Sequence, residues 1–573
     1  MKIVFTLLMA AWGCILQAQL PYLSHEDGKV ELIVDGQPFL MLCGELSNSA
    51  TGSTHLMAPV WQRIADKNLN SVLAAMSWEL VEPKEGQYDF TLLDSLVCSA
   101  RRAGLKVGLL WFGSWKNGLS TYMPTWAKTN QKRFPLAKFK DGQKMNSLSV
   151  FGKEAMEAES KAFGAMMAHL KDVDTDHTVI LVQIENEMGT LDPLSLSAEV
   201  PNRAMRDYSS VANKAFEGQV PQALMSYLSK HREELHPAIR KAWEDNGAKH
   251  KGTWEEVFGC GQPVKDSVDW QQDYPYLTEE IFMTWYYATY VEQIAKEGKR
   301  AYPLPLYVNA WLKQSGGREP GRYPSGGPQA HMIDIWRAAA PSIDFIAPDI
   351  YIVDCFDDVC RAYTVAANPL FIPETKGDPA SAARAFYAFG RYDALCYSPF
   401  AIESYSLFSG SDVNDKSYDT VYGCLKHLIP YILKYRGTDQ MDGLFIDGQK
   451  PTDSLEIGDY SFSIAPFTAK MSMAVAGIEV EEYEKRITAA GMLVIELGEG
   501  DFLVAGYGDM LVKINKGSRH KANNVGLLTV DEIFFTPQGE MLTHRLNGDE
   551  TSSGGVVIPA QGAKVFRVKM YAY

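Results

Sequence analysis

The chain has 573 residues, of which 46% are hydrophobic, and a formal net charge of −15. This length is sufficient for two or three domains with separate hydrophobic cores. The acidic charge argues against binding to nucleic acid or to an anionic membrane, because phosphate groups attract a basic protein face. A neutral ligand such as a sugar stays compatible with this composition.

The first 18 residues have the pattern of a secretion signal. Lys2 provides the positive start, residues 3–12 form an apolar stretch too short to span a bilayer, and Ala18 is a small residue of the kind that signal peptidases prefer. Cys14 follows a segment that faintly resembles a lipoprotein site, so a lipid anchor is the alternative. We expect an exported protein, periplasmic or extracellular, with no other membrane contact.

Strand-like and helix-like segments alternate after a first hairpin, which Asp35-Gly36 marks as a turn between apolar runs. The helix-like segments include residues 153–172, where apolar side chains form one stripe at a spacing of 3.6. The β-rich runs are residues 39–46, 71–76, 106–112, 178–184, 305–311, 343–351, 369–375 and 394–400.

Eight such runs predict a (β/α)8 barrel over residues 19–435, with a doubly wound sheet as the alternative. An insertion at about 190–280 carries Trp243, Trp254 and Trp270, and we expect it to cover the barrel mouth. Residues 436–573 contain short alternating runs between glycine-containing turns, which predict an all-β sandwich.

Glu187 ends the fourth run and Glu374 ends the seventh. Reactive groups of a (β/α)8 barrel lie at the carboxyl ends of its strands, and two carboxylates on one rim are what glycosidic cleavage requires. Either residue alone is also explained as a solvated loop residue or a helix cap. The Asn-Glu pair after an apolar strand, together with a second glutamate three strands later, favours catalysis.

The other strand ends provide amides, acids, one lysine and aromatic rings that are suited to holding a sugar. Trp78 and Trp111 are equally explained as core residues, and Glu403 as the ion-pair partner of a barrel lysine or arginine. The sequence contains no Cys/His cluster or phosphate-binding loop, so no metal or cofactor is expected, and the predicted partner is an oligo- or polysaccharide. The predicted sugar-binding residues are Trp78, Glu79, Trp111, Trp115, Lys116, Asn117, Asn186, Asn309, Trp311, Tyr351 and Glu403.

Three segments resemble the β-galactosidases of glycoside hydrolase family 35: residues 34–46, 70–91 and 183–189. The last reads QIENEMG and is close to the family signature QIENEYG. The resemblance covers roughly residues 28–435 and extends to bacterial relatives in family 42 with a β-rich C-terminal domain. It implies a (β/α)8 barrel in which Glu187 is the acid/base, Asn186 holds the sugar 2-hydroxyl and Glu374 is the nucleophile.

Two segments depart from this family. Residues 111–118 read WFGSWKNG where typical members have a Cys-Ala-Glu segment that grips galactose, and residues 44–49 read GELSNS in place of Gly-Ser-x-His-Tyr. These departures weaken the expectation of galactose more than that of glycoside hydrolysis. The prediction is a retaining exo-β-galactosidase; the alternatives are an arabinosidase or glucosidase of the same kind and a non-catalytic glycan-binding barrel. The sequence predicts no oligomeric state.

Overall fold

The computed structural model describes residues 19–26, 28–192, 204–261, 274–313, 319–365, 367–403, 415–467, 489–536, 539–551, 554–560 and 562–573. The predicted signal segment, with Cys14, and Trp270 of the insertion lie outside the described residues. Within these ranges, no helix has the length and the apolar character that crossing a membrane requires.

A three-stranded antiparallel sheet precedes the barrel and consists of β1 (Tyr22–Ser24), β2 (Glu31–Val34) and β3 (Gln37–Pro38). Leu32 and Val34 of β2 belong to the same hydrophobic cluster as the barrel interior. Asp35, in the turn after β2, forms an ion pair with Lys106 at the beginning of a barrel strand. The small sheet therefore covers the amino-terminal end of the barrel, opposite the end at which the predicted catalytic residues lie.

Eight parallel strands form the barrel, and the predicted (β/α)8 fold is confirmed. Their order around the barrel follows the chain, and the backbone N–H of Ile350 closes the circle by donating to the carbonyl oxygen of Glu374 at 2.9 Å. The strands are almost entirely buried, as expected for a sheet covered on both faces. They are β4 (Met41–Glu45), β5 (Ser71–Ser77), β6 (Lys106–Lys116), β9 (Val179–Asn186), β10 (Leu306–Trp311), β11 (Phe345–Asp349), β12 (Phe371–Thr375) and β13 (Cys396–Pro399).

Alternate side chains of each strand point into the barrel or towards the helices around it. Met41, Cys43, Phe112 and Tyr307 belong to the interior cluster, whereas residues such as Leu42 pack in the larger layer under the helices. The described helices are α1 (Thr54–Met57), α2 (Val60–Ala65), α3 (Trp78–Val81), α4 (Thr91–Arg102), α5 (Thr125–Lys128), α6 (Lys153–Val173), α7 (Ser210–Phe216), α8 (Gln222–Lys230), α9 (Pro237–Asp245), α10 (Trp254–Phe258), α11 (Leu277–Ala301), α12 (Ile333–Ala339), α13 (Phe356–Tyr363), α14 (Pro379–Tyr392) and α15 (Ser417–Tyr435).

Two additions extend the third and fourth units of the barrel. A hairpin of β7 (Leu136–Lys138) and β8 (Lys144–Leu148) follows β6, and the predicted insertion contains α7 to α10. Trp243 and Trp254 of the insertion are buried, and Trp254 packs edge-on against Phe282 of α11. In the described part of the insertion, these two rings therefore act as core residues.

Two antiparallel sheets follow α15. The first has six strands: β14 (Met441–Ile446), β17 (Ala490–Gly498), β18 (Asp501–Tyr507), β20 (Val525–Phe535), β21 (Met541–Leu546) and β23 (Ala563–Ala572). The second has four: β15 (Asp453–Ile457), β16 (Tyr460–Ala465), β19 (Met510–Lys516) and β22 (Gly555–Ile558). Inward residues of both sheets share one hydrophobic cluster, which confirms the predicted β-rich C-terminal region.

Helix α14 of the barrel packs directly on the six-stranded sheet. A Cβ atom added to Gly491 would lie 2.2 Å from the carbonyl oxygen of Ala383, so glycine allows this close approach. Arg391 adds an ion pair with Asp442 at 2.7 Å. These contacts brace the β-rich region against the side of the barrel.

Candidate active site

Glu187 and Glu374 face each other at the carboxyl end of the barrel. Glu374 lies in β12, and Glu187 follows directly after β9. One carboxylate oxygen of each, together with one of Asp349, lies within 4.8 Å of the others. All three side chains are buried. Residues 187 positions apart in the chain therefore converge on a space about the size of one sugar ring.

The backbone of the fourth strand is left-handed on both sides of Asn186. Glu185 has φ +61° and Glu187 has φ +45°, in a region that residues other than glycine rarely occupy. The following Gly189 allows close packing, because a Cβ atom there would lie 2.4 Å from the backbone of Pro324. Such strain, of order 1–3 kcal/mol per residue, is typical of functional sites where surrounding contacts fix the conformation.

Three side chains donate hydrogen bonds to the carboxylate of Glu374. Tyr351 donates to Oε2 at 2.8 Å, and the amides of Asn186 and Asn309 donate to Oε1 at 3.2 and 3.3 Å. The Asn309 amide oxygen in turn accepts from the backbone N–H of Glu187 at 3.0 Å. Asn309 thereby ties the two glutamates to one another and fixes their separation.

Lys116 is the cation of the site. Its ammonium group is buried and donates to the amide oxygen of Asn186 at 2.6 Å, which turns the amide nitrogen towards Glu374. Burial alone would lower the pKa of Lys116, but the charges of Glu374, Glu187 and other carboxylates outweigh burial and raise it. The lysine therefore stays charged within the acidic cluster.

Glu187 has the pKa expected of a group that both donates and accepts a proton near neutral pH. Burial, followed by the charge of Glu374, raises the pKa of Glu187 to about 7, although Lys116 acts in the opposite direction. The same causes, burial first and Glu374 second, raise the pKa of Asp349 well above its usual range.

Glu45 and Asp349 are acids of the site that were not among the predicted binding residues. Both end barrel strands, so the rule that located Glu187 also applied to them. Glu45 closes a short apolar run, so its sequence context does not distinguish it from the rest of a buried strand. Burial, with the charge of Glu374 second, raises the pKa of Glu45 well above its usual range.

The three predicted tryptophans of the second and third strands lie elsewhere. Trp78, Trp111 and Trp115 are completely buried in the layer between the barrel and its helices. Their indole nitrogens donate to Glu82, Glu159 and Ser147 at 2.7 to 3.0 Å. None of these rings presents a free face to a sugar, so the structure corrects the predicted role: they are core residues with satisfied N–H groups.

Two predicted acids contact other parts of the protein in place of the carboxylate pair. Glu79 is partly exposed and forms an ion pair with Lys128 at 3.2 Å. Glu403 accepts from the backbone N–H of Ser47 at 3.0 Å and fixes the loop after β4; among the described residues, no lysine or arginine pairs with it.

The two remaining predicted residues stand near the site. Asn117, with φ +53°, donates its backbone N–H to the carbonyl oxygen of Asn186 at 3.1 Å. Trp311 follows Asn309 on the same face of β10 and is partly exposed at the mouth. Trp311 is therefore the predicted tryptophan with a surface that a sugar ring could contact.

A second pair of buried acids supports the fourth strand from beneath. Glu185 accepts from the backbone N–H groups of Ser114 and Trp115 at 2.9 and 2.8 Å. Glu159 accepts from Trp111 at 3.0 Å, from Ser114 and from Tyr290 at 3.0 Å. Burial and the Glu159 charge raise the pKa of Glu185 well above its usual range. This network holds β6 and β9 in the register that brings Lys116 to Asn186.

The oxygens of Glu187, Asp349 and Glu374 also have the spacing of a metal site. Lys116 places a fixed positive charge beside the same carboxylates, which disfavours a second cation there. The arrangement suits a neutral ligand that exchanges hydrogen bonds with acids and amides.

Comparison with known families agrees with this geometry. Residues 55–218 match the model of glycoside hydrolase family 42, described as beta-galactosidase. The predicted resemblance to these glycoside hydrolases is confirmed. The glycoside hydrolase segment contains β5, β6 and β9, and so includes Lys116, Asn186 and Glu187, while Glu374 lies beyond it. Residues 418–557 match a model described as "Domain of unknown function (DUF5597)". No curated protein sequence matches the chain.

Several solved structures are similar to this chain in part. A beta-galactosidase from Bacillus circulans is 11% identical with a TM-score of 0.48, over 92% of this chain and 99% of that one. The catalytic domain of a beta-amylase from Paenibacillus polymyxa is 11% identical with a TM-score of 0.46, over 66% and 95%. A beta-galactosidase from a psychrophilic Marinomonas is 13% identical with a TM-score of 0.42, over 68% and 60%.

Proposed function

We propose that this protein is a retaining exo-β-glycosidase that removes terminal β-galactosyl residues from glycans. The observation that carries the proposal is the convergence of Glu187 and Glu374, with carboxylate oxygens within 4.8 Å. Retaining glycosidases place their two carboxyl groups about 5–5.5 Å apart, whereas inverting enzymes leave about 6.5–9.5 Å for a water molecule. The short separation supports direct attack by one carboxylate.

In the first step, Glu374 attacks the anomeric carbon and Glu187 donates its proton to the leaving oxygen. The roles follow from the surroundings of each group. Tyr351, Asn186 and Asn309 donate to Glu374 and hold it as an oriented acceptor. Glu187 has a pKa of about 7, so a large fraction of the molecules carry the required proton at neutral pH.

In the second step, Glu187 removes a proton from the water that hydrolyses the glycosyl-enzyme. Esterification of Glu374 removes the negative charge that raised the pKa of Glu187, so the pKa of Glu187 falls and it becomes a more fully ionised base. Asn186 would then be free to turn its amide towards the sugar 2-hydroxyl, a contact that strengthens at the transition state.

The nucleophile is tested with Glu374→Ala and a 2-deoxy-2-fluoro glycoside. We expect the variant to lose activity by about 10³-fold or more and the probe to add its glycosyl mass to the peptide containing Glu374 in the wild-type protein. Glu157→Ala changes an exposed glutamate that pairs with Lys153 and is the matched control. Full activity of the Glu374 variant would remove this residue from the proposed role.

Azide distinguishes the two glutamates. With an activated aryl glycoside, Glu187→Ala should yield the β-glycosyl azide, because azide attacks the glycosyl-enzyme from the side that Glu187 leaves open. Glu374→Ala should yield the α-azide, because azide then replaces the nucleophile. The opposite stereochemistry would exchange the two roles, and binding of glycan without any turnover would favour the non-catalytic alternative.

Sugar specificity is tested by comparing nitrophenyl galactosides, arabinosides and glucosides. Glu45 and Lys116 lie in the two segments, residues 44–49 and 111–118, that depart from the family resemblance, so a different β-glycosidase is the second candidate. A kcat/KM for an arabinoside or a glucoside above that for the galactoside would select this candidate and keep the catalytic pair.

We also propose that residues 1–18 direct export and are removed. If a signal peptidase cleaves before Gln19, the intact mass of the protein isolated from its native host should match a chain that begins at Gln19. A mature chain beginning at Cys14, with a lipid mass added, would establish the anchored form instead.

A further inference from the structure

Glu45 is the last residue of β4 and points into the barrel. Met41 and Cys43, which precede it by four and two positions, both belong to the interior cluster, and side chains at this spacing share one face of a strand. Glu45 has a relative exposure of 0%. Its electrostatic neighbours are Glu374, Lys116 and Glu187, which places its carboxyl group in the wall of the candidate active site.

Neither carboxyl oxygen of Glu45 has a hydrogen-bond partner among the described residues. An unpaired buried polar group destabilises a folded protein, and such groups are rare. Glu159 and Glu185 are buried to the same degree but accept from five protein donors between them. Glu159 and Glu185 are thus satisfied by the protein, whereas both carboxyl oxygens of Glu45 are buried without a partner among the described residues.

Other unpaired polar atoms lie on the same inward face. The Tyr307 hydroxyl precedes Asn309 by two positions on β10, and it is close enough to Glu45 for the two to interact electrostatically. Oxygen Oδ1 of Asp349 is also buried without an amide or hydroxyl donor, and the Asp349 carboxyl lies against that of Glu187. A sugar hydroxyl both donates and accepts, so it can pair with a carboxyl group in either protonation state.

We propose that Glu45 is a specificity-determining residue that binds a hydroxyl group of the sugar held between Glu187 and Glu374. Its carboxylic acid form donates one hydrogen bond to this hydroxyl and accepts another. The inference rests on the proposed function and deepens it, because it names the class of sugar. Among the residues that the structure describes, the site holds the carboxyl groups of Glu45, Glu187, Asp349 and Glu374 and the ammonium group of Lys116. A uronic acid would add a fifth carboxylate, so the bound sugar is a neutral one.

The test compares Glu45→Met with Glu45→Gln. Methionine has a similar length and cannot form the hydrogen bonds, so we expect kcat/KM for the best nitrophenyl glycoside to fall by about 100-fold. Glutamine keeps a donor and an acceptor and should stay within about tenfold of wild type. With monodeoxy substrates, wild type should discriminate strongly at one hydroxyl position, and the methionine variant should lose that discrimination.

Thermal stability separates binding from a structural role. Since the Glu45 carboxyl has no partner, Glu45→Met should leave Tm unchanged or raise it, as removal of an unpaired buried acid does. Glu159→Met, which deletes a buried acid with three donors, is the matched control and should lower Tm by about 5 °C or more.

Three results would overturn the inference. They are a Glu45→Met variant within threefold of wild-type kcat/KM, a loss of Tm or of folding in that variant, and a uronide cleaved better than the neutral glycoside. A wild-type protein that hydrolyses no glycoside would instead remove the proposed function itself. The two failures are distinguishable because the first is measured on an active wild-type enzyme.

Discussion

Replacement of Glu187 by glutamine should stabilise the folded protein in alkaline solution. A carboxyl group whose pKa is higher in the folded state holds its proton more tightly there. Its protonation therefore favours folding below the unfolded pKa, and this contribution is lost as the pH rises to the folded pKa. For Glu187 these limits are the ordinary value of 4.5 and the folded value of about 7. At about 1.4 kcal/mol per unit, ionisation of Glu187 in the folded state costs about 3 kcal/mol above pH 7.

Glutamine has nearly the same volume and never ionises. We expect Glu187→Gln to raise the free energy of unfolding by about 3 kcal/mol at pH 8 and to leave it almost unchanged at pH 4.5, where the native glutamate is protonated. Urea denaturation followed by tryptophan fluorescence at both pH values measures this difference. Glu157→Gln, at an exposed site, is the control for the procedure. An equal effect of Glu187→Gln at the two pH values would refute a raised pKa at this position.

Three other changes test separate parts of the site. Lys116→Met should move the alkaline limb of the pH profile of kcat/KM to a higher pH, because the lysine charge lowers the pKa of Glu187. An alkaline limb at the same pH or a lower one would contradict this electrostatic link. Gly189→Ala should lower the free energy of unfolding, measured by urea denaturation, by at least about 3 kcal/mol, since the new methyl group would lie 2.4 Å from the backbone of Pro324. Gly142, with φ +87° and open space around it, is the control, and Gly142→Ala should lower the free energy of unfolding by about 1 kcal/mol. Trp311→Ala should raise KM by about tenfold and leave Tm unchanged, since the partly exposed ring is available to contact the sugar. A lower Tm with an unchanged KM would identify Trp311 as a core residue.

The barrel was predictable because each strand is a short apolar run between helical segments, and the rule for strand ends then located Glu187 and Glu374. The same rule located Asn186, Asn309 and Tyr351, which contact Glu374 directly. These predictions needed only the position of a residue along its strand.

The direction of a side chain was harder to predict. Trp78 directly follows β5, and Trp111 and Trp115 lie within β6, but all three face the helices, because the register of a strand decides which alternate residues point inward. An aromatic residue near the rim is equally compatible with both faces. Glu45 was missed for the related reason that a strand buried on both faces shows no alternation in its sequence.

Hydrogen-bond satisfaction separates the two sets of buried acids where burial alone does not. Glu159 and Glu185 are as buried as Glu45 and Asp349, and burial raises the pKa of Glu185, Glu45 and Asp349 alike. Glu159 and Glu185 accept hydrogen bonds from protein donors, and these bonds hold the register of β6 and β9. Glu45 and Asp349 retain buried oxygens without partners, a cost that folding alone does not explain. A group that destabilises the free protein and stands beside Glu187 and Glu374 would recover this cost on binding a ligand. On the proposed function, the unsatisfied acids mark the ligand's position, whereas the satisfied acids belong to the scaffold that holds it.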